Sequence, residues 1–305
     1  MPYSNISTWK NGTNCCLWDG VTCNPLGHVI GLNLNCSWLH GKLLPSNSLF
    51  QLSHLQTLDL SFNDFQGSQI PPNISQLVSL THLSLSFCNF SGEVPSQISH
   101  LHKLVSLHLK EDLNYLVLQE KTWERLTRNA THIKDLLLSG MDTSLIPLSH
   151  LFKNLSSSLV SLELSNAGLQ GNFDENIFSF PHLQEIDLHE NPDLAGYLPE
   201  SNWSNSIRVL SLGNTSFTGK LPHSIGDMKS LNVLDLSSCQ FFGEIPPSLW
   251  NLTQLYLLEL SSNNFSGQIS SSLSNLQDLI LLDLSSNNFS GQFPYSVSDL
   301  KDLTF

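Results

Sequence analysis

The feature that most constrains this chain is a leucine-centred motif that returns at a nearly fixed interval along its whole length. The unit reads L-x-x-L-x-L-x-x-N-x-F/L-x-G-x-I/V/L-P, with its clearest copies at residues 55–71, 80–95, 207–222, 231–246, 255–269 and 279–294. Anchored on the second leucine-type position, the copies fall at Leu32, Leu58, Leu83, Leu107, Leu136, Leu162, Ile186, Leu210, Leu234, Leu258 and Leu282. Successive spacings are 26, 25, 24, 29, 26, 24, 24, 24, 24 and 24, and Leu303-Thr304-Phe305 begins a further copy. Chance clustering of leucine does not hold one spacing over five consecutive steps. A fixed period of this size marks supersecondary units that stack on one another.

Each position of the unit has a physical task. The x-L-x-L-x stretch alternates with period two, so it predicts a short strand whose leucines face inward and whose x residues face solvent. Strands of neighbouring units stack in parallel, and each unit buries its leucines only against its neighbours. Asn63, Asn191, Asn263 and Asn287 stand where the chain turns off the strand, and their amides can satisfy free backbone groups there as a ladder. Cys88, Cys239, Ser37 and Thr215 occupy the same position; the two cysteines read as buried ladder thiols. Glycine then permits a tight turn, as at Gly67, Gly92, Gly219, Gly243, Gly267 and Gly291. A short helical turn such as Pro247-Ser248-Leu249-Trp250-Asn251-Leu252 closes the core from the far side. The expected fold is α/β: a right-handed solenoid, horseshoe-like or superhelical, with a parallel concave sheet and a convex side of 3-10 turns and loops. The domain division expected is a partial amino-terminal cysteine cap over 1–28 and the solenoid over 29–305, with an irregular repeat at 104–132.

Composition narrows the function. With 13 Lys and Arg against 26 Asp and Glu, and a formal net charge of −13, the chain suits neither a phosphate backbone nor anionic lipid. It has no apolar run of about 18 residues such as a membrane span needs. The opening Met1-Pro2-Tyr3-Ser4-Asn5 lacks the basic and apolar regions of a secretory leader. Two features nevertheless point outside the cell. Asn-x-Ser/Thr sequons stand at Asn5, Asn11, Asn35, Asn73, Asn89, Asn129, Asn154, Asn202, Asn214, Asn251, Asn264 and Asn288, a density that a secretory origin explains. The close spacing of Cys15, Cys16 and Cys23 suits a disulfide, although four early cysteines, Cys36 included, allow three pairings. The expectation is therefore a fragment whose leader is missing.

No catalytic constellation emerges: there is no G-x-S-x-G, no glycine-rich phosphate loop, no H-E-x-x-H and no kinase catalytic loop. No cofactor and no metal are expected. His100 and His102 flank Leu101 as surface residues. Asp59, Glu163, Asp187, Asp235, Glu259 and Asp283 share the position between the strand leucines and predict an acidic row on the concave face. A hydrolase needs one special carboxylate pair in a pocket, whereas these repeat everywhere; they serve solubility and a bias towards basic partners. The distinctive concave residues are Phe62, His82, Phe87, His108, Lys110, Glu111, Asp135, Glu185, His189 and Glu190, a mixture of aromatic and charged groups of the kind found in binding hot spots. Glycans on Asn35 or Asn214, near the strand exits, would cover part of that face.

The L-x-G-x-I-P half of the unit resembles the plant-specific class of extracellular leucine-rich repeats. Trp9, then Asn14-Cys15-Cys16-Leu17-Trp18-Asp19-Gly20-Val21-Thr22-Cys23, resembles the amino-terminal cap of that class. Gly27-His28-Val29-Ile30-Gly31-Leu32 and Cys36-Ser37-Trp38-Leu39-His40-Gly41 extend the likeness to the receptor-like proteins related to the tomato Cf-type resistance receptors. The resemblance implies a ligand-recognition ectodomain for an extracellular peptide, protein or carbohydrate, acting in defence or development through a co-receptor kinase. It implies the membrane only through a helix beyond Phe305. A secreted inhibitor of pathogen wall-degrading enzymes (polygalacturonase-inhibitor-like) and a receptor-kinase ectodomain are the alternatives. It also implies a Cys16–Cys23 disulfide. Cys15 would bond a cysteine in a cap helix that this chain lacks, leaving it orphaned or paired abnormally with Cys36. Half a cap at one end and none at the other predict poor folding in isolation.

The fourth repeat departs from the pattern. Lys110-Glu111-Asp112 breaks the ladder, and 115–132 replaces the usual turn and return. That stretch reads as a solvated loop on the convex side, in which Trp123-Glu124-Arg125-Leu126-Thr127 could form a short helix, the alternative being a contribution to ligand specificity.

Overall fold

All eleven anchors lie in β-strands, because each sets an inward leucine or isoleucine two residues before an inward leucine, with outward side chains alternating between them. The computed structural model describes residues 6–112, 115–153, 155, 157–300 and 303. Contacts divide it into two units, Met1–Ser156 and Ser157–Phe305. The fold in each is a leucine-rich-repeat solenoid.

In the first unit Val21–Cys23 pairs antiparallel with Val29–Asn33. The strands Thr57–Asp59, His82–Ser84, Ser106–His108 and Asp135–Leu137 then follow in parallel, with Leu32, Leu58, Leu83, Leu107 and Leu136 in one register row. The Cys16–Cys23 disulfide is formed, at 2.03 Å; Cys15, Cys36, Cys88 and Cys239 are free. In the second unit six parallel strands align Leu162, Ile186, Leu210, Leu234, Leu258 and Leu282 in the same way. The inward leucines are almost completely buried, as with Leu80, Leu83 and Leu85 at 0–1% exposure. Each contributes roughly 1.5–3 kcal/mol of transfer free energy, which it gains only while its neighbours are in place.

A second parallel sheet, which the leucine period does not announce, runs beside the first in the later unit. Its strands are Gly171–Asn172, Asn191–Gly196, Thr215–Gly219, Gln240–Glu244, Asn264–Gln268 and Asn288–Ser290. It carries a phenylalanine stack: the buried Phe241 and Phe265 and the half-buried Phe289 follow at ring separations of 6.2 and 6.4 Å. Outside the irregular middle the return side is built of 3-10 turns. Pro71, Pro95, Pro222, Pro246 and Pro294 cap them at φ between −64° and −70°, the angle the pyrrolidine ring imposes.

The asparagine ladder has the expected chemistry. Asn63 Nδ2 donates to the carbonyls of Leu34 and Leu60, while its Oδ1 accepts from Leu39 N at 2.8 Å. Asn191 does the same, accepting from Ala167 N and Leu169 N. The Cys88 thiol donates to Leu60 O at 3.0 Å and that of Cys239 to Leu212 O at 3.1 Å, reproducing the donor half of the task.

Two expectations for the fourth repeat are corrected. The acceptor half of the ladder is kept there. The Glu111 carboxylate accepts from Cys88 N at 3.1 Å and also meets the backbone N–H groups of Asn89 and Phe90, as Asn191 Oδ1 serves the repeat before it. Nor is 115–132 a solvated loop, although the short helix expected over 123–127 does form, within a longer one. Helix α1, Glu120–Asn129, buries Trp123 and Leu126 at 1% exposure each. Its Asn129 Nδ2 donates to Ser99 O, and Trp123 Nε1 donates to Leu151 O at the end of helix α2, Leu148–Leu151. An aromatic with leucine three residues on gives one apolar stripe, and a buried stripe requires a packed helix.

Candidate functional site

The outward side chains of the strands and the residues that leave them form the surface available to a partner. Four residues after the anchor, the backbone turns left-handed in repeat after repeat. Cys36, Phe62, Phe87, Asn166, Glu190, Asn214, Ser238, Ser262 and Ser286 all have φ between 48° and 59°, and Gly140 has φ 73°. Asparagine, serine and glycine suit this conformation; bulky side chains are strained in it by about 1 kcal/mol or more. The first unit nevertheless places aromatics there. Phe62, 53% exposed, stacks on Phe87 with centroids 4.8 Å apart. Trp38, also left-handed at φ 59°, is 75% exposed nearby, and a hollow is lined by Cys36, Trp38, His40 and Phe62.

Below this ledge the strands of the first unit line a shallow groove of about 410 Å³ with Asn35, Asp59, Phe62, His82, His108 and Lys110. His82 Nδ1 meets Thr81 Oγ1 at 2.9 Å, and His108 Nε2 meets Ser106 Oγ at 2.8 Å, so both rings are held by neighbouring hydroxyls. Asp135 is in register with Ser106 on the next strand. Glu111 does not join this surface. Its carboxylate is turned to the backbone of the preceding repeat, and burial pushes its pKa up to about 7 against the lowering effect of those N–H groups. A larger hollow, about 740 Å³, lies between the cap and the first repeat and is mainly apolar, with Trp9, Trp18, Leu43 and Leu49 in its walls.

The remaining predicted residues belong to the second unit and form a different kind of surface. Glu185 accepts from Ser161 Oγ, and Glu190 Oε2 accepts from Asn214 Nδ2 at 2.8 Å. His189 Nδ1 sits 2.6 Å from Asp187 Oδ1, which holds the histidine pKa above its usual value. The acidic row takes shape here, with Asp235, Glu259 and Asp283 in register on adjacent strands. Burial, then the two flanking aspartates, raises the Glu259 pKa, whereas hydrogen bonds from Ser285 lower that of Asp283. In the first unit Ser84, His108 and Leu137 interrupt the row. Strand order alone would have revealed that interruption; the prominence of Trp38 depends on a left-handed backbone that its residue type does not announce.

Among the sequons, Asn89, Asn129, Asn202, Asn251, Asn264 and Asn288 are exposed and Asn73 and Asn214 half-buried; Asn5 and Asn154 lie outside the described residues. No helix among the described residues is long and apolar enough to cross a membrane.

Comparison with known proteins agrees with this geometry. The Leucine Rich Repeat family model matches residues 54–77, 79–101, 206–228, 230–252, 254–276 and 278–300, and leaves the irregular middle unmatched. The chain is 40% identical over 236 residues to Receptor-like protein 6 of Arabidopsis thaliana, covering 75% of this chain and 23% of that one. It is 37% identical over 232 residues to Receptor-like protein Cf-9 of Solanum pimpinellifolium, covering 75% and 26%. The chain thus spans about a quarter of the length of these relatives. Among solved structures, the ectodomain of the Arabidopsis thaliana membrane receptor kinase GASSHO1/SCHENGEN3, in complex with CASPARIAN STRIP INTEGRITY FACTOR 2, aligns with a TM-score of 0.71 and 32% identity over 89% of this chain and 34% of that one. PEPR1 in its AtPEP1 complex aligns with a TM-score of 0.65 and 28% identity, over 99% and 48%.

Proposed function

We propose, from the premise that this chain belongs to the plant receptor-like proteins of the leucine-rich-repeat family, that it is a ligand-recognition surface exposed outside the cell. The observation that carries this reading is the aromatic ledge of the first unit. Phe62, Phe87 and Trp38 accept a left-handed backbone and remain accessible, although serine or asparagine would serve the turn as it does in the second unit. Exposed aromatics held rigidly beside polar groove residues have the character of binding hot spots. The similar ectodomains solved in complex with CASPARIAN STRIP INTEGRITY FACTOR 2 and with AtPEP1 support a peptide or protein as the ligand class.

The site residues in this reading are Phe62, Phe87, His82, His108, Lys110 and Asp135, with Trp38 added. Glu185, His189 and Glu190 offer a second, acidic surface for a basic segment of ligand or partner. The reading assigns signalling to a co-receptor kinase and no catalysis to this chain, since its carboxylates repeat along a row and do not pair in a pocket. The exposed sequons fit a secreted, glycosylated surface.

The test uses the full chain and its Trp38→Ser/Phe62→Ser/Phe87→Ser variant. Serine relieves about 1 kcal/mol of strain per site and forfeits a stack worth roughly 0.5–1.5 kcal/mol, so folding stability should stay close to that of the parent. Titration with synthetic secreted-type peptides and wall oligosaccharides should identify a ligand whose affinity falls about tenfold or more in the variant, since hot-spot side chains contribute roughly 2 kcal/mol each. Equal binding by parent and variant would refute the ledge as the site. Turnover of any wall polymer by the purified chain would overturn the non-catalytic reading.

A further inference from the structure

The irregular repeat carries a group of donors that the recognition surface does not use. Helix α1 places Glu120 and Glu124 one turn apart, hence on the same face. Helix α2 brings His150 to them, with its Nδ1 2.6 Å from Glu120 Oε1. One ligand atom from each of the three residues lies within 4.8 Å of the others. This grouping is held from beneath. Trp123, buried at 1% exposure, donates its indole N–H to the carbonyl of Leu151, the residue after His150, at 3.0 Å. The two helices are therefore pinned together within one residue of the donors.

We infer that Glu120, Glu124 and His150 bind a divalent transition cation of the zinc type. Two carboxylates alone would favour calcium or magnesium, but those ions prefer full shells of oxygen. An imidazole in a three-residue set with a fourth position left for water selects zinc-like ions. Tetrahedral zinc, with bonds of about 2.0–2.2 Å, keeps its donors roughly 3.4 Å apart. The His150–Glu120 pair must open slightly and Glu124 must close, movements within the reach of side-chain rotation about a fixed backbone. The His150 and Glu120 side chains are 44% and 38% exposed, so an ion has access. A bound cation also removes the repulsion between like charges one turn apart on α1. It acts as a clip from α1 to α2, independent of whether the aromatic ledge binds a ligand.

The experiment titrates the metal-free full chain with Zn²⁺ by calorimetry, beside His150→Gln and Glu124→Gln. The parent should bind one equivalent and gain thermal stability from it, whereas each variant should lose about tenfold or more in affinity and show no such gain. Melting of the metal-free variants checks that they remain folded, and Glu124→Gln alone decides the matter should His150→Gln unfold. Cobalt(II) spectra report the donor type, because the free thiols of Cys15 and Cys36 would announce themselves by thiolate charge transfer. Bands from oxygen and nitrogen donors alone support the site. Zinc binding that survives both substitutions, a thiolate-dominated spectrum, or a folded parent that binds no zinc would each overturn it.

Discussion

At the residue scale, the ladder shows how one backbone requirement is met by different side chains. An asparagine amide both donates to the strand carbonyls and accepts from the preceding turn; the Cys239 thiol donates to Leu212 O and meets Thr215 only through a weak sulfur contact at 3.4 Å. In the next two repeats the acceptor half is made by Asn263 Oδ1 to Phe241 N and by Asn287 Oδ1 to Phe265 N. At Cys239 the corresponding amide, Phe217 N, meets the Thr215 side chain, at a long 3.4 Å to Oγ1. Cys239→Asn should therefore raise stability by about 1 kcal/mol, the net value of one buried hydrogen bond. Chemical denaturation measures it, and a loss of stability would show that thiol packing outweighs the missing acceptor. Burial raises the thiol pKa of both ladder cysteines, so they should resist alkylation until the chain unfolds.

At the scale of elements, the irregular fourth repeat is stitched to the fifth by backbone contact as well as by helix packing. Gly140 occupies the left-handed strand-exit position at φ 73°, and a Cβ built there would lie 1.6 Å from the carbonyl oxygen of Glu111. Left-handed strain alone costs an alanine about 1–2 kcal/mol. The backbone clash adds displacement of the same residue whose side chain supplies the acceptor of the ladder. Gly140→Ala should destabilise by on the order of 3 kcal/mol or more, well beyond Gly12→Ala, where no atom lies within 4 Å of the built Cβ. Comparable losses in the two variants, measured by urea denaturation, would mean that the repeats slide apart without cost.

For the whole molecule, the shifted groups bias stability towards mild acid. Glu111, with a pKa near 7, and Glu259 hold protons more tightly folded than unfolded, as does His189. Stability from such groups is complete below their unfolded values and drains away as pH rises through the folded ones. Asp283, with its lowered pKa, contributes in the opposite sense, losing its share only as pH falls below the ordinary aspartate range. The formal charge of −13 at pH 7 adds self-repulsion that protonation relieves. The melting temperature should thus rise as pH is lowered from about 8 to about 5 and fall again below about 4. Glu111→Gln, which keeps an acceptor but cannot titrate, should flatten the upper part of that curve; an unchanged slope would remove Glu111 as its source.

The periodicity by itself determined the strand positions, the inward leucines, the asparagine ladder and the glycine turns, because a constant spacing converts sequence distance directly into register. Phe62 and Phe87, 25 residues apart at equivalent positions, were readable as neighbours on the same ground. The resemblance carried the Cys16–Cys23 pairing. Only the tertiary structure decided the rest. Where the spacing stretches to 29 residues the strands keep their register, but the inserted residues have no counterpart in a neighbouring repeat, so neither the packing of α1 nor the meeting of Glu120 with His150 follows from any period. Glu111 looked like a surface charge and proved to be a backbone ligand, because a carboxylate one position early can still reach the amides an asparagine would serve. Accessibility of Trp38 likewise rests on a left-handed φ, a property of how the chain leaves the strand and not of the residue that occupies the place.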